Sequence, residues 1–197
     1  MKKLILIVIS LLVGGGIIML MGKSKKLETA TFAGGCFWCV ESSFSKLDGI
    51  TTIVVGYAGG TEKKPTYKNY AKGGHIEAVQ ITYDPAKISY DQLLDTLWHT
   101  IDPTDAKGQF VDRGPQYRAA IFYHNNTQKK QALTSKAQLE QSGIFSKPIV
   151  TEITKLSPFY KAEEYHQDYA KKNPVKYKFY YYRSGRVTFF KKTWGKK

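Results

Sequence analysis

Between Thr29 and Tyr123 the apolar residues recur at every second position, then at every third or fourth, then at every second again. That switching restricts the fold more than any other feature of the chain. Thr29–Ala33 reads as a short strand. Gly34-Gly35 breaks it just before a helical pattern that places Phe37, Val40, Phe44 and Leu47 on one face and stops at Gly49. Ile50–Tyr57 reads as a strand closed by Gly59-Gly60. After a loop holding Pro65, His75–Tyr83 alternates Glu77, Val79, Ile81 and Tyr83 on one side before an Asp84-Pro85 turn. Ser89 reads as the N-cap of a helix reaching about to His99, with Leu93, Leu94, Leu97, Trp98 and Ile101 inward. Beyond the loop Asp102–Gln116, Tyr117–Tyr123 is the next expected strand. The order βαββαβ predicts an α+β fold of the ferredoxin-like, split βαβ kind, a two-layer core with helices on one face of an antiparallel sheet. A helix over Thr127–Gln141, a strand over Ile149–Leu156 and a helix from Ser157-Pro158 to Asn173-Pro174 extend this core, and an irregular tail is expected after Pro174. No repeat and no long linker divides residues 27–197, which are expected to form one domain.

Charge is distributed unevenly along the 197 residues. The formal net charge is +14, from 30 Lys and Arg against 16 Asp and Glu. Residues 1–26 hold five Lys and no acid, and residues 171–197 hold ten Lys and Arg and no acid, so the body is nearly neutral. Lys2 and Lys3 precede the uncharged run Leu4–Met21, whose 18 residues would span about 27 Å as a helix. Its exit, Met19-Leu20-Met21-Gly22-Lys23, offers no small-x-small cleavage site. Residues 1–26 are therefore expected to be a membrane anchor with the body outside the cytoplasm; the alternative is a signal segment cleaved on secretion. In the basic tail, 171–197, the cations alternate with Tyr177, Phe179, Tyr180, Tyr181, Tyr182, Phe189, Phe190 and Trp194. Such a mixture suits a polyanion, but aromatics packed over the body with solvated Lys and Arg are the preferred reading, and nucleic acid is not an expected partner.

Two cysteines cannot build a disulfide framework, but Cys36 and Cys39 form a Cys-x-x-Cys pair. The double glycine places Cys36 at a helix start, where free backbone N–H groups and the macrodipole favour a thiolate, making it the candidate nucleophile. Cys39 falls on the same helix face, with Cβ atoms about 5–6 Å apart at that spacing, close enough for a disulfide after local relaxation. A zinc site would need two more ligands, and His75, His99, His124 and His166 are scattered, so no metal is expected. A general thiol-disulfide exchanger is disfavoured by Phe37-Trp38 between the cysteines. A tethered polyanion-binding module with structural cysteines is the rival of a different class. Glu77 is either a buried carboxyl of raised pKa or a strand-end carboxylate in water, and alternation alone leaves both open.

The motifs Gly35-Cys36-Phe37-Trp38-Cys39, Gly56-Tyr57-Ala58-Gly59-Gly60, Pro65-Thr66-Tyr67, Gly74-His75-Ile76-Glu77, Asp102-Pro103-Thr104, Asp112-Arg113-Gly114-Pro115-Gln116-Tyr117-Arg118 and Tyr165-His166-Gln167 occur in order from about Thr29 to Tyr169. Together they resemble the peptide methionine sulfoxide reductase A family. The resemblance implies reduction of the S epimer of methionine sulfoxide, free or in proteins, by a domain with a ferredoxin-like core; separately, a monomer is expected. It implies no metal or organic cofactor, and a thioredoxin-like dithiol as reductant. It makes Cys36 the attacking thiol and Glu77 the acid that protonates the sulfoxide oxygen. Tyr67, Tyr117 and Asp112 would bind substrate, and Phe37 and Trp38 would form an apolar wall for the S-methyl group. Many family members have Gly after Phe-Trp and carry resolving cysteines elsewhere. Here Ala71 stands where some carry Cys and the tail has none, which leaves Cys39 to resolve the sulfenic acid.

Overall fold

Strand β1 (Glu28–Gly34) lies inside a six-stranded sheet because both of its edges are occupied, by β3 (Ile76–Tyr83) on one side and β6 (Ala119–Tyr123) on the other, each antiparallel. The computed structural model describes residues 26–195, so the apolar run Leu4–Met21 lies outside the described residues. β2 (Ile50–Ala58) pairs antiparallel with β3, and the short β8 (Tyr160–Lys161) covers the outer edge of β2. β7 (Glu152–Lys155) pairs parallel to β6, giving a mixed sheet in the order β7-β6-β1-β3-β2-β8. A two-stranded hairpin, β4 (Gly108–Gln109) with β5 (Asp112–Arg113), stands apart in the stretch the sequence reads as a loop.

Period-two alternation sorts the strand residues between two cores. Phe32, Val55, Val79, Ile81 and Ile121 share one core with Phe37, Val40 and Phe44 of α1 (Phe37–Phe44) and Leu93, Leu94 and Leu97 of α2 (Tyr90–Trp98). Ala33, Ala58, Ile76, Ala78, Ala120 and Phe122 form the other, against Leu156 and Phe159. Ser89 caps α2 through a reciprocal capping box with Gln92, as its position in the sequence suggests. α3 (Asn126–Gln141) begins one residue before its expected start, with Asn125 accepting from the Gln128 amide. Gly34 permits the sheet to approach α2 closely, since a Cβ there would lie 2.7 Å from Ile101 Cγ2.

Three expectations fail. Tyr117 does not open a strand: it ends a 3-10 turn, Pro115–Tyr117, and β6 starts only at Ala119. Residues 157–173 do not form one helix: they contain β8, a 3-10 turn at Glu164–His166 and the four-residue α4 (Tyr169–Lys172). The free edge of β2 captures Tyr160 and Lys161, and the Ser157 hydroxyl accepts from the Gly59 amide instead of capping a helix. Nor is the tail irregular. Pro174 occupies the first turn of α5 (Pro174–Arg183), where a missing N–H costs nothing, and α6 (Arg186–Trp194) follows the left-handed Gly185 at φ 87°.

Candidate active site

The break that Gly34-Gly35 makes in the chain leaves Cys36 as the N-cap of α1, and Gly35 holds φ 80°, a conformation that L side chains rarely adopt. Cys36 lines a cavity of about 90 Å³ together with Phe37, Trp38, Tyr67, Glu77, Asp112, Tyr117 and Tyr180. Drug-sized pockets run from about 300 to 1,000 Å³, so this one admits the tip of a side chain and little more. Every candidate proposed from sequence lines it except Cys39, which sits one helical turn deeper, fully buried beside Tyr177. Both cysteines are reduced.

Glu77 is a buried carboxyl, 2% exposed, and not a strand-end group in water. One oxygen accepts from the Phe37 amide at 2.9 Å, satisfying an orphan N–H in the first turn of α1, and the other accepts from the Tyr70 hydroxyl at 3.0 Å. Burial raises its pKa well above the usual carboxylate value, and a thiolate at Cys36 adds to the rise. The Phe37 and Tyr70 hydrogen bonds oppose it without cancelling it. Burial in this setting favours the protonated carboxyl over the carboxylate.

The thiols depart from the simple helix-start expectation. Burial pushes the Cys36 thiol well up, and the hydrogen bond and the charge it shares with Cys39 push it further. Burial also acts upward on Cys39, but the hydrogen bond from Cys36 and the guanidinium of Arg186 outweigh it, so Cys39 lies below an ordinary thiol. The Cys36 S–H thus donates to the Cys39 sulfur. The helix start does place Cys36, but desolvation there overrides the expected ease of ionisation.

Aromatic side chains shape the rest of the site. Trp38 stacks on Tyr169 with centroids 3.7 Å apart and planes 8° from parallel, and Tyr180 meets its edge. Tyr67 is half-exposed, with its amide donating to Glu163, whose other oxygen accepts from Tyr57 at 2.7 Å. Asp112 does not face the cavity as a free carboxylate. Both of its oxygens accept from the Tyr180 hydroxyl at 2.7 Å, and one also takes the Arg186 guanidinium at 2.9 Å. The tail's aromatics pack over the body as expected, with Tyr177, Tyr180 and Tyr181 of α5 against the thiols, while Arg186 departs from the expected solvated cations by being buried.

Sequence reasoning missed Tyr70, Tyr180, Arg186, Glu163 and His166 as site residues. His166 is buried, neither ring nitrogen has a hydrogen-bond partner among the described residues, the ring packs between Phe37 and Tyr67 at 5.0 and 4.5 Å, and burial lowers its pKa. Its place in the Tyr-His-Gln motif was the available signal. The neighbouring Gln167 imitates a strand by bonding the Val55 amide and carbonyl.

Comparison with known proteins accounts for this constellation. The model of the family described as peptide methionine sulfoxide reductase matches residues 28–197. The chain belongs to that family. The peptide methionine sulfoxide reductase MsrA of Bacillus subtilis is 54% identical over 176 residues, 88% of this chain and 99% of that one. The reduced form of Mxr1 from Saccharomyces cerevisiae superposes with a TM-score of 0.71 at 34% identity, covering 76% of this chain and 87% of that one. A structure of Mxr1 in complex with Trx2 superposes at 0.52 and 27% identity, covering 73% and 85%. This peptide methionine sulfoxide reductase is thus an enzyme that uses thiol chemistry to convert methionine sulfoxide to methionine.

Proposed function

We propose that Cys36 attacks the sulfoxide sulfur of an S-epimer methionine sulfoxide, free or in a protein, while Glu77 protonates the oxygen. The observation that carries this reading is that the Cys36 sulfur and a buried carboxyl, whose burial favours its protonated form, line the same small cavity. Sulfoxide sulfur is electropositive and its oxygen is a poor leaving group until protonated, so nucleophile and acid must flank one S–O bond. The hydrogen bond from Cys36 to Cys39 gives the proton of the attacking thiol somewhere to go. Phe37 and Trp38 hold the S-methyl group and exclude water, while Tyr67 and Tyr117 donate to the oxygen and the anchored Asp112 closes the cavity.

Cleavage of the S–O bond releases methionine and leaves Cys36 as its sulfenic acid. Cys39 then attacks that sulfur, expels water and forms the disulfide, which a thioredoxin-like dithiol reduces. The yeast structure with Trx2 supports that choice of donor. No cofactor enters this cycle. The order β6-β1-β3-β2, antiparallel throughout, supports a ferredoxin-like core, to which β7, β8 and α3–α6 are additions. Residues 27–197 are read as one catalytic domain acting as a monomer. Leu4–Met21 is read as its anchor, with secretion after cleavage as the alternative.

Anaerobic mixing with resolved epimers of a methionine sulfoxide derivative tests the cycle. The wild-type chain is expected to form one methionine from the S epimer and lose two thiols. Cys39→Ser is expected to form one methionine per chain and then stop, even with thioredoxin present. Sustained turnover by Cys39→Ser would remove Cys39 from the resolving role, and equal use of both epimers would overturn the substrate assignment.

A further inference from the structure

Arg186 is the largest fully buried side chain among the described residues, at 0% exposure, and burying a guanidinium carries a large desolvation cost. Its pairing is incomplete. Nη2 reaches Asp112 at 2.9 Å and Nη1 is 3.5 Å from the Tyr180 hydroxyl, while Nε has no hydrogen-bond partner among the described residues. The guanidinium lies over the Phe110 ring at 4.8 Å. It also fills the space beside Gly35, where a Cβ would come within 3.1 Å of Nη2.

That place is the N-terminal end of α1, the positive end of its dipole, where a cation is disfavoured. A fold seeking stability alone would put an apolar side chain there. An anion at the helix start reverses the balance, and Asp112 by itself only neutralises the arginine. Both thiols pack with Tyr180, the residue whose hydroxyl Arg186 Nη1 approaches, and Gly35, beside Nη2, adjoins Cys36, so the thiols are acidic groups at the guanidinium's own end of α1. Cys39 is faced by Cys36, Arg186, Asp112, Tyr177, Tyr180 and Tyr181, and Arg186 is the cation among them.

The geometry assigns to Arg186 the role of a positioning residue, delivered by α6 and fixed by Asp112 and Tyr180, that holds negative charge on the Cys39 sulfur during resolution of the sulfenic acid. The assignment rests on the reading of Cys39 as the resolving thiol. In that step the Cys39 thiolate bonds to the Cys36 sulfur, the S–O bond of the sulfenic acid breaks, and the departing hydroxide takes a proton to become water. The same charge acts again in recycling. A reductant thiolate bonds to the Cys36 sulfur, the S–S bond breaks, and the electron pair leaves on Cys39, the sulfur beside Arg186. Attack at Cys36 also suits access, since Cys36 faces the cavity and Cys39 is 0% exposed. The downward pull of Arg186 on the Cys39 thiol agrees with this role.

The test compares Arg186→Gln and Arg186→Lys with the wild-type chain. Ionisation of Cys39 is followed by ultraviolet thiolate absorbance against pH, as the difference from the same protein carrying Cys39→Ser. Sulfenic acid resolution is timed after single turnover. In Arg186→Gln the Cys39 midpoint is expected to rise by about one pH unit and resolution at neutral pH to slow about tenfold, recovering as pH is raised past the new midpoint. Arg186→Lys is expected to retain most of the wild-type profile and guards against simple misfolding. An unmoved midpoint, or a rate lost equally at every pH, overturns the assignment. The readings fail separately: if Cys39→Ser alone recycles with thioredoxin, Cys39 is not the resolving thiol, whatever Arg186 does.

Discussion

Glu77 holds one oxygen on the amide of Phe37, the residue next to the attacking thiol, so a single side chain both closes the first turn of α1 and supplies the proposed proton. Replacing it by Gln keeps the shape and an acceptor for that amide but removes the acid. The rate of sulfenic acid formation in Glu77→Gln is expected to fall by about 10²–10⁴, while substrate affinity changes far less. Rapid-quench single turnovers over a range of substrate concentrations separate the two, and an unchanged rate removes Glu77 as the acid. The Tyr70 hydroxyl gives a finer test with a definite sign. It donates to Glu77 and so favours the ionised form. In Tyr70→Phe the carboxyl is expected to keep its proton to higher pH, shifting the alkaline fall of kcat/KM upward. A downward shift would mean that the Tyr70 hydrogen bond favours the protonated carboxyl, and loss of the limb would mean that Tyr70 itself is the group titrating there.

At the scale of elements, the parts legible in the sequence are those whose local pattern and long-range pairing agree. β1, α1, β2, β3, α2 and α3 form close to their expected bounds because their apolar period also suits the surface they cover. Residues 157–173 fail because two residues of sheet pairing, Gly56 with Lys161 and Tyr57 with Tyr160, outweigh a Ser-Pro helix start, and single-chain periodicity carries no record of a free strand edge. The tail fails for another reason. Its inward positions are Tyr177, Tyr180, Tyr181 and Ser184, but the charges around them conceal the spacing. The seven cavity residues named from sequence came from motif order, whereas Tyr180 and Arg186 are distant in the chain and reach the site only through the packing of α5 and α6. The captured edge can be tested. A Cβ on Gly56 would lie 2.3 Å from the Tyr160 carbonyl oxygen and 2.5 Å from the Phe159 ring. Gly56→Ala is expected to cost about 1–3 kcal/mol and to loosen β8, and with it Glu163, which holds Tyr57 and the Tyr67 amide. Urea denaturation and hydrogen exchange at Ala162, whose amide bonds Val55, would show both effects; protection there equal to wild type would refute the coupling.

At the scale of the whole molecule, two buried acids among the described residues lie outside the cavity, Glu41 and Asp84, and Glu41 links the first helix to the segment that braces Trp38. Glu41 is 5% exposed; one oxygen accepts from the Asp168 amide at 2.9 Å and the other has no hydrogen-bond partner among the described residues. Asp168 turns the chain through φ 54° so that Tyr169 can stack on Trp38. Burial, partly offset by the Asp168 hydrogen bond, raises the Glu41 pKa from 4.5 to about 7. The folded protein therefore keeps this proton at pH values where the unfolded chain has lost it. Unfolding free energy must then fall as pH rises from about 4.5 to about 7 and level off above. Glu41→Gln keeps an acceptor for Asp168 and abolishes the titration, so it is expected to match wild type at pH 4.5 and to exceed it by about 2 kcal/mol at pH 8, after discounting for residual solvent screening. Glu77 destabilises in the same direction as it ionises, but it is present in both proteins and cancels from the difference. Urea unfolding of the pair at the two pH values decides the matter. A stability difference that does not grow with pH would mean that Glu41 is already ionised in the fold and that the Asp168 turn is held by a carboxylate.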